Sequence, residues 1–360
     1  MKKLALILIA LSFLGLPHAE AASPTIRVVD KPHLRFDGTF RTNDLATALL
    51  PDGRLGVLVY GPPSSRETFV IDAALIDEIQ LFSQTATPAK VVAENWLYRL
   101  KNTTRDNKVV VLPYGNPDEK LLKRIAPSEL NFYRQYAEKQ LENFLNRPIV
   151  AESGWSEGRS RLSPKFIADY NDNRRLLRGL STLTTTPEIN LLRARLGVVM
   201  NPLLNSEERA YFSYNKNKEV KSVSSKLRVV SGRYQITSSG AKLPVTLVNN
   251  FDTATVVSVS LIPMNSRIHI ENVNNIELAP KSRQQILVPV DVIAPGSTLV
   301  RAQFLNAKGQ QVGIESQLNL TATIIDSRVA WFTTAAAVLL LFGAITQSVR
   351  RVRRVRHEKQ

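Results

Sequence analysis

The sequence predicts an α/β domain, followed by an immunoglobulin-like β-sandwich and one transmembrane helix at the C-terminus. Between residues 55 and 200, short apolar runs alternate with stretches of helical spacing, which is typical of βαβ units and a mainly parallel sheet. Beyond residue 221, short alternating segments separated by turn signals replace the helical spacing, and this pattern indicates a sandwich. Near the end, the apolar run over residues 329–349 is long enough to cross a bilayer.

Both ends of the chain carry membrane-directed signals. Residues 1–21 combine a basic start, an apolar run from Leu4 to Leu16 and the small-residue site Ala19-Glu20-Ala21, which predicts a cleaved signal peptide. The run over residues 329–349 predicts a transmembrane helix, and the arginine-rich residues 350–360 predict a cytoplasmic tail by the positive-inside rule. We therefore expect a single-pass protein of the cell membrane with most of its chain outside the cytoplasm.

The body of the chain divides into three further segments. Residues 22–54 form a short N-terminal segment, the α/β domain is expected over residues 55–221, and the sandwich is expected over residues 224–325. Apolar runs predict strands at residues 55–60, 68–71, 108–112 and 147–151. Helical spacing predicts helices at residues 73–84, 89–101 and 130–145, and the polar residues 214–221 predict a linker between the two domains.

Composition limits the partners and cofactors. The chain has no cysteine, which excludes disulfides and thiolate metal sites, and none of its four histidines is paired in a metal-binding spacing, so no metal and no cofactor are expected. Its formal net charge of +16 comes without a basic and aromatic motif for nucleic acid, so no nucleic-acid partner is expected. Anionic lipid head groups or acidic wall polymers would be attracted to such a surface, although a merely solvated basic surface is the simpler explanation.

Carboxylates follow three predicted strands. Asp72, Asp118 and Glu152 come after the runs at residues 68–71, 108–112 and 147–151. If they share one edge of the sheet, they supply the pair of carboxyl groups that glycoside hydrolysis requires, one as acid and one as nucleophile or base. The alternative is structural, because aspartate is a preferred N-cap. Asp72 precedes the helix predicted at 73–84, and residues 116–122 fit the start of a further helix at Asp118.

Three further residues are candidates for ligand binding in the same loops. Tyr114 and Trp155 carry rings that stack on a sugar if they are exposed, and Asn116 lies beside them in the loop after residue 112. Trp155 is equally well explained as part of the core.

Several stretches resemble an uncharacterised actinobacterial family of exported, C-terminally membrane-anchored proteins. They are FVIDAAL at 69–75, WLYRL at 96–100, VVLPYGNPD at 110–118, LPVTLVNNFD at 243–252 and the C-terminal span with its basic tail. In that family the gene typically lies beside the gene for the lipid II flippase. The resemblance implies a cell-envelope setting and no established reaction. At the level of fold, the α/β part is also similar to carbohydrate deacetylase and glycoside hydrolase barrels, which implies a barrel-like domain.

These observations lead to one functional prediction with two alternatives. The chain is expected to be a cell-envelope protein whose outer domains bind or scaffold wall glycan, or an envelope partner such as a lipid II flippase, without catalysis. One alternative is a carbohydrate-active hydrolase that uses the carboxylates at the strand ends. The other is a purely structural partner of a membrane protein.

Overall fold

The computed structural model describes residues 24–41, 44–62, 66–85, 88–149, 152–323 and 327–357. The predicted signal peptide, residues 1–21, lies outside the described residues, as do the last three residues of the predicted tail.

The first part of the chain is mixed and the second is mainly β. The elements through residue 224 are β1 (Thr25–Val28), α1 (Asp44–Leu49), α2 (Val57–Tyr60), β2 (Thr68–Asp72), α3 (Ala73–Phe82), α4 (Ala89–Thr103), β3 (Lys108–Leu112), α5 (Glu119–Ile125), α6 (Pro127–Leu145), α7 (Pro164–Ser181), α8 (Pro187–Val198), α9 (Ser206–Phe212) and α10 (Lys216–Ser224). The remaining elements are β4 (Leu227–Val229), β5 (Gly232–Ile236), β6 (Gly240–Asn249), β7 (Thr255–Pro263), β8 (Ile268–Ile270), β9 (Val273–Leu278), β10 (Ser282–Val292), β11 (Gly296–Leu305), β12 (Gln311–Ala322) and α11 (Ser327–His357).

The described residues fall into two compact units. The first contains the chain through Arg161 together with Gly197–Phe212, and the second contains Leu162–Leu196 together with the chain from Ser213 onward. These bounds differ from the predicted domain bounds, because Leu162–Leu196 was expected in the α/β domain and groups with the sandwich strands instead.

The first unit is built on a parallel sheet of three strands in the order β1-β2-β3. Every residue of β2 is buried, and in β3 only Lys108 is exposed. This fits strands that are covered on both faces and therefore read as continuous apolar runs. The predicted strands at 68–71 and 108–112 and the three predicted helices are confirmed within a few residues.

The structure shows this three-stranded sheet in place of the barrel-like domain expected from the sequence. Three strands are too few to close a barrel, since closure of a barrel that side chains can fill takes about eight. The predicted strand at 55–60 is wrong, because its last four residues form α2. The backbone amides of Leu55 and Gly56 donate to the carbonyl of Ala48, and the indole N–H of Trp96 donates to the carbonyl of Leu55 at 2.9 Å. These bonds use the groups that a sheet ladder would need.

The predicted strand at 147–151 is also not observed among its described residues. The backbone amide of Ile149 donates to a carboxylate oxygen of Glu142 at 3.0 Å instead of to a neighbouring strand. The guanidinium of Arg147 donates to the carbonyl of Thr104 at 2.7 Å. Residues 150 and 151 lie outside the described residues.

The second unit contains the predicted β-sandwich. One sheet has the order β4-β6-β10-β8 and the other has the order β5-β12-β11-β7-β9. The sequence prediction missed β9, because Asn274 and Asn275 have the composition of a turn. Asn275 takes a left-handed backbone conformation with φ 56°, and the pairing of β9 with β7 shifts register between Val257 and Val259, so the asparagines mark a bulge within a strand.

The predicted linker at 214–221 is wrong, because most of it is helical in α10. Lys216 is only 3% exposed, and its ammonium forms an ion pair with Asp169 and lies 5.0 Å from the ring centre of Phe166. Val220 and Val223 are buried on the same helix. The lysine-rich composition therefore conceals one apolar face.

The C-terminal helix α11 contains the predicted span. Within the described residues it is the one helix long and apolar enough to cross a membrane, and none of its side chains from Trp331 to Ser348 is buried. An apolar helix without a protein covering is the arrangement expected of a segment that lies in lipid.

Candidate functional site

Asp72 lies where β2 ends and α3 begins. One of its carboxylate oxygens, Oδ1, accepts hydrogen bonds from the backbone amides of Ala74 and Gly115, each at 2.9 Å. Gly115 has φ 78°, and a Cβ at this position would lie within 2.6 Å of backbone atoms of Val198. Only glycine fits there, so the loop after β3 is shaped to bring an amide to Asp72.

Asp118 has the same role one strand further along. Oδ1 accepts from the backbone amide of Leu121 at 2.9 Å, which caps α5, and Oδ2 accepts from the backbone amide of Ser160 at 2.6 Å. The side chain is buried. The capping alternative considered for both aspartates is therefore observed, and their carboxylates are occupied by backbone donors.

Glu152 is not brought to the same place as Asp72. Its carboxylate forms an ion pair with Lys108 at 2.6 Å and accepts from the indole N–H of Trp155 at 3.0 Å. These two hydrogen bonds lower the pKa of Glu152. Lys108 is the first residue of β3, whereas Asp72 lies opposite the last residue, Leu112. The structure thus connects Glu152 to the end of the sheet at which β3 starts.

The three predicted ligand-binding residues are largely enclosed. Tyr114 is buried, and its hydroxyl donates to Asp77 at 2.9 Å. Asn116 is buried in a left-handed conformation with φ 45°, and its side-chain oxygen has no hydrogen-bond partner within the described part of the chain. Trp155 is half-buried against the core that Val70 and Val110 form. None of these rings stands free in the way that stacking on a sugar requires.

A cluster of buried acids that the sequence analysis missed lies next to Asp72. Glu78 on α3 is buried and accepts a hydrogen bond from the backbone amide of His33 at 2.9 Å. His33 is buried as well, and its Nε2 lies 3.2 Å from a carboxylate oxygen of Asp30. Asp77 on the same helix accepts from Tyr114. We call Asp72, Glu78 and His33, together with the half-buried Asp77, the buried acid cluster.

Burial dominates the electrostatics of this cluster. It raises the pKa of Asp72 to about 7, against the two amide hydrogen bonds that favour the carboxylate. Burial likewise raises the pKa of Asp77 to about 6 and that of Glu78 to about 7. For His33, burial lowers the pKa, but the hydrogen bond to Asp30 and the nearby charge of Glu78 outweigh it, so the net shift is upward.

The space at the cluster is small. A cavity of about 10 Å³ is lined by Asp30, Asp72, Glu78, Gly115 and Asn201. A volume of this size holds about one water molecule and no sugar ring. Among the described residues, no group of three or more His, Asp or Glu side chains is arranged to hold a metal ion.

Burial brings the pKa values of these acids near neutral pH, and their surroundings differ from the arrangement that glycoside hydrolysis uses. Glycoside hydrolysis needs two carboxyl groups about 5–10 Å apart across a cleft that admits the sugar. Here Asp72 and Glu78 line a water-sized cavity, and the carboxylate of Asp72 is bound by two amides. We therefore expect the protonation of these acids to affect the stability of the first unit.

One signal in the sequence could have revealed the cluster. Asp77 and Glu78 interrupt an otherwise apolar run in α3, and Glu78 lies three residues after Leu75 and four before Phe82, both of which are buried. Positions with this spacing share a helix face. A glutamate on the apolar face of a helix is expected to be buried and to need a partner.

Comparisons with known proteins identify a family and no activity. The sequence model of a family of unknown function (DUF6049) matches residues 161–357. No curated protein matches the chain. One similar solved structure is WR4, an MSP family member from C. elegans, with 12% identity over 27% of this chain and 98% of that chain and a TM-score of 0.22. Another is native alpha-2-macroglobulin from Escherichia coli, from domain MG7 to the C-terminus, with 15% identity over 27% of this chain and 16% of that chain and a TM-score of 0.22. A third is PapD-like domain 7 of human CEP192, with 10% identity over 28% of this chain and 87% of that chain and a TM-score of 0.21.

The match to the family model extends from Arg161 through α7, the sandwich strands and all of α11. It covers more than half of the residues, so this chain belongs to the family of unknown function DUF6049.

Proposed function

We propose that this protein is a single-pass protein of the cell envelope whose two units outside the cytoplasm bind or scaffold an envelope component without catalysing a reaction. The component is wall glycan or an envelope membrane protein such as a lipid II flippase. The signal peptide predicted at residues 1–21 and the apolar helix α11 support the location.

One observation carries the non-catalytic part of the proposal. The carboxylates that the strand ends offer for catalysis are used by the protein's own backbone, since Asp72 and Asp118 each accept from two amides. Glu152 forms its contacts with Lys108 and Trp155. A carboxylate that holds two loops together is poorly suited to moving a proton to a substrate, because each transfer would break a structural bond.

The competing function is a carbohydrate hydrolase, and Glu152 gives the sharper test of it. In Asp118→Asn one side-chain position that accepts from an amide is replaced by an NH2 group that cannot accept, so loss of activity and loss of stability would coincide. Glu152 caps no helix, so Glu152→Gln should leave folding almost unchanged. Loss of a catalytic acid or base costs about 10²–10⁴-fold in rate.

The test uses the purified full chain in neutral detergent with peptidoglycan and with soluble oligosaccharides. We expect no release of reducing ends by the wild type or by either variant. Release of reducing ends by the wild type that Glu152→Gln abolishes, with an unchanged melting temperature, would replace this proposal with the hydrolase.

Reporter fusions test the location separately. A periplasmic-type reporter at residue 320 should be active and a cytoplasmic-type reporter at residue 360 should be active, because the arginine-rich tail favours the inner side. The opposite pattern would reverse the orientation.

A further inference from the structure

The second unit contains a groove that the proposed function leaves unassigned. It has a volume of about 800 Å³ and lies between α7 and the residues that join β11 to β12. On one side its polar side chains are Arg174 and Arg178 on α7 and Thr182, the residue after this helix. On the other side they are Lys308, Gln310 and Gln311.

The two sides of the groove are fixed to one another. The side-chain amide of Asn306 donates to the hydroxyl of Thr182 at 3.1 Å, and its oxygen accepts from the backbone amides of Lys308 and Gln310, each at 3.0 Å. At Gly179 a Cβ would lie 3.3 Å from the carbonyl oxygen of Gln311, so the helix backbone packs closely against β12. The groove is therefore part of the packed unit.

The charge of the groove is positive. Asp172 is the one acidic residue among its described lining residues, and it is held by Arg175 at 2.5 Å. Arg178 and Lys308 have no opposing carboxylate among the described residues of the lining. The side chains of Arg178 and Lys308 are exposed. Guanidinium and ammonium groups in a concave surface raise the local concentration of anions.

The shape selects among anionic partners. From Arg174 to Thr182 the groove follows α7 for about 12 Å, at 1.5 Å per residue, which suits an extended chain. A flat bilayer surface does not enter a concave groove of this kind. Single-stranded nucleic acid would require aromatic side chains for base stacking, and the described lining residues include none.

We infer that this groove binds a segment of an acidic polysaccharide, with Arg178 and Lys308 pairing with its anionic groups and the amides of Gln310 and Gln311 with its hydroxyls. The inference rests on the proposed function, because such a polymer meets the groove only if the second unit lies outside the cytoplasm. It makes the unspecified envelope component a polymer that is recognised by charge.

The experiment measures fluorescence anisotropy of labelled polygalacturonate with the full chain in neutral detergent. We expect saturable binding that weakens as NaCl is raised, and no binding of labelled neutral dextran. The double variant Arg178→Gln/Lys308→Gln should bind about tenfold more weakly. The variant Arg178→Lys, which keeps the charge, should retain most of the affinity.

A second double variant controls for the overall charge. Lys242→Gln/Arg283→Gln removes the same two charges from exposed positions of β6 and β10 that do not line the groove. We expect its affinity to change by less than about twofold. Far-UV circular dichroism of each variant checks that the sandwich is folded. Equal losses in the two double variants, or no binding by the folded wild type, would overturn the inference.

Short-chain phosphatidylglycerol added as a competitor distinguishes a lipid head group from a polymer. Displacement of polygalacturonate by this lipid at low occupancy would overturn the inference in favour of a membrane ligand. Failure of polymer binding in a protein that hydrolyses no glycan would overturn this inference alone. Glycan hydrolysis would overturn the proposed function, whatever the groove variants do.

Discussion

Two substitutions of the buried Asp72 should separate the effect of its hydrogen bonds on stability from the effect of its charge. Asp72→Ala removes the acceptor for the amides of Ala74 and Gly115. Loss of an N-cap costs about 1 kcal/mol and a buried amide without an acceptor costs about 1–3 kcal/mol, so we expect a loss of about 2–4 kcal/mol in the free energy of unfolding. Asp72→Asn keeps an oxygen in the same place and should largely avoid this loss.

The two variants should differ most clearly in their pH dependence. The pKa of Asp72 is raised from 3.8 to about 7 in the folded protein. Its contribution to stability is therefore complete below pH 4 and is lost as the pH rises to about 7, because the folded state holds the proton that the unfolded chain has released. Between pH 5 and pH 8 this loss is about 3 kcal/mol. Asp72→Asn cannot ionise, so its stability should fall less over the same interval.

Tryptophan fluorescence during urea unfolding of the full chain in detergent measures this effect. Two of the three tryptophans, Trp96 and Trp155, belong to the first unit, while Trp331 belongs to the apolar helix α11. Asp106→Asn, at an exposed position of the same unit, is the matched control and should follow the wild type at every pH. If Asp72→Asn shows the same pH dependence as the wild type, burial of Asp72 does not set its pKa and the argument fails.

Two further predictions concern how the first unit is held and where it ends. Arg209→Met should lower the free energy of unfolding by about 3 kcal/mol, because the guanidinium donates to three backbone carbonyls within residues 199–204. An unchanged urea midpoint would contradict this prediction. Limited trypsin digestion should cut first after Arg159 or Arg161, because both are exposed in a segment without helix or strand. Mass spectrometry identifies the first cut, and a first cut after the buried Lys216 would show that the boundary between the units is misplaced.

Much of the regular structure could be predicted from local patterns. The strands β2 and β3 are continuous apolar runs, and the sandwich strands alternate apolar and polar residues. In each case the local pattern indicates how the strand is buried. The run at 55–60 has the composition of a buried strand but is mostly helical. The hydrogen bonds from Leu55 and Gly56 to Ala48, and from Trp96 to Leu55, join residues outside this run, so its local pattern could not predict them. The charged α10 was missed because its lysines are conspicuous and its apolar face is narrow.

The candidate site, like the fold, could be predicted from the sequence only in part. The positions of Asp72 and Asp118 after strands were predictable, and so was the capping role that both have, since it depends only on the start of the next helix. The separation of Glu152 from Asp72 was not predictable, because it depends on Lys108 at the opposite end of β3. The position of Glu78 on the apolar face of α3 predicts that it is buried, but its partner, the backbone amide of His33, lies 45 residues earlier and was not predictable from the local pattern.

The discontinuity of the first unit bears on how the protein is made. The segment Gly197–Phe212 belongs to this unit, but it is synthesised only after all of Leu162–Leu196. The amide of Asp118, in the loop before α5, donates to the carbonyl of Met200, so this amide lacks that acceptor until then. At about 5–20 residues per second, ribosomes need about 3–10 s to extend the chain from Arg161 to Phe212. During this interval we expect the first unit to remain incompletely folded. If the chain is exported as proposed, this delay would favour its passage through a translocation channel.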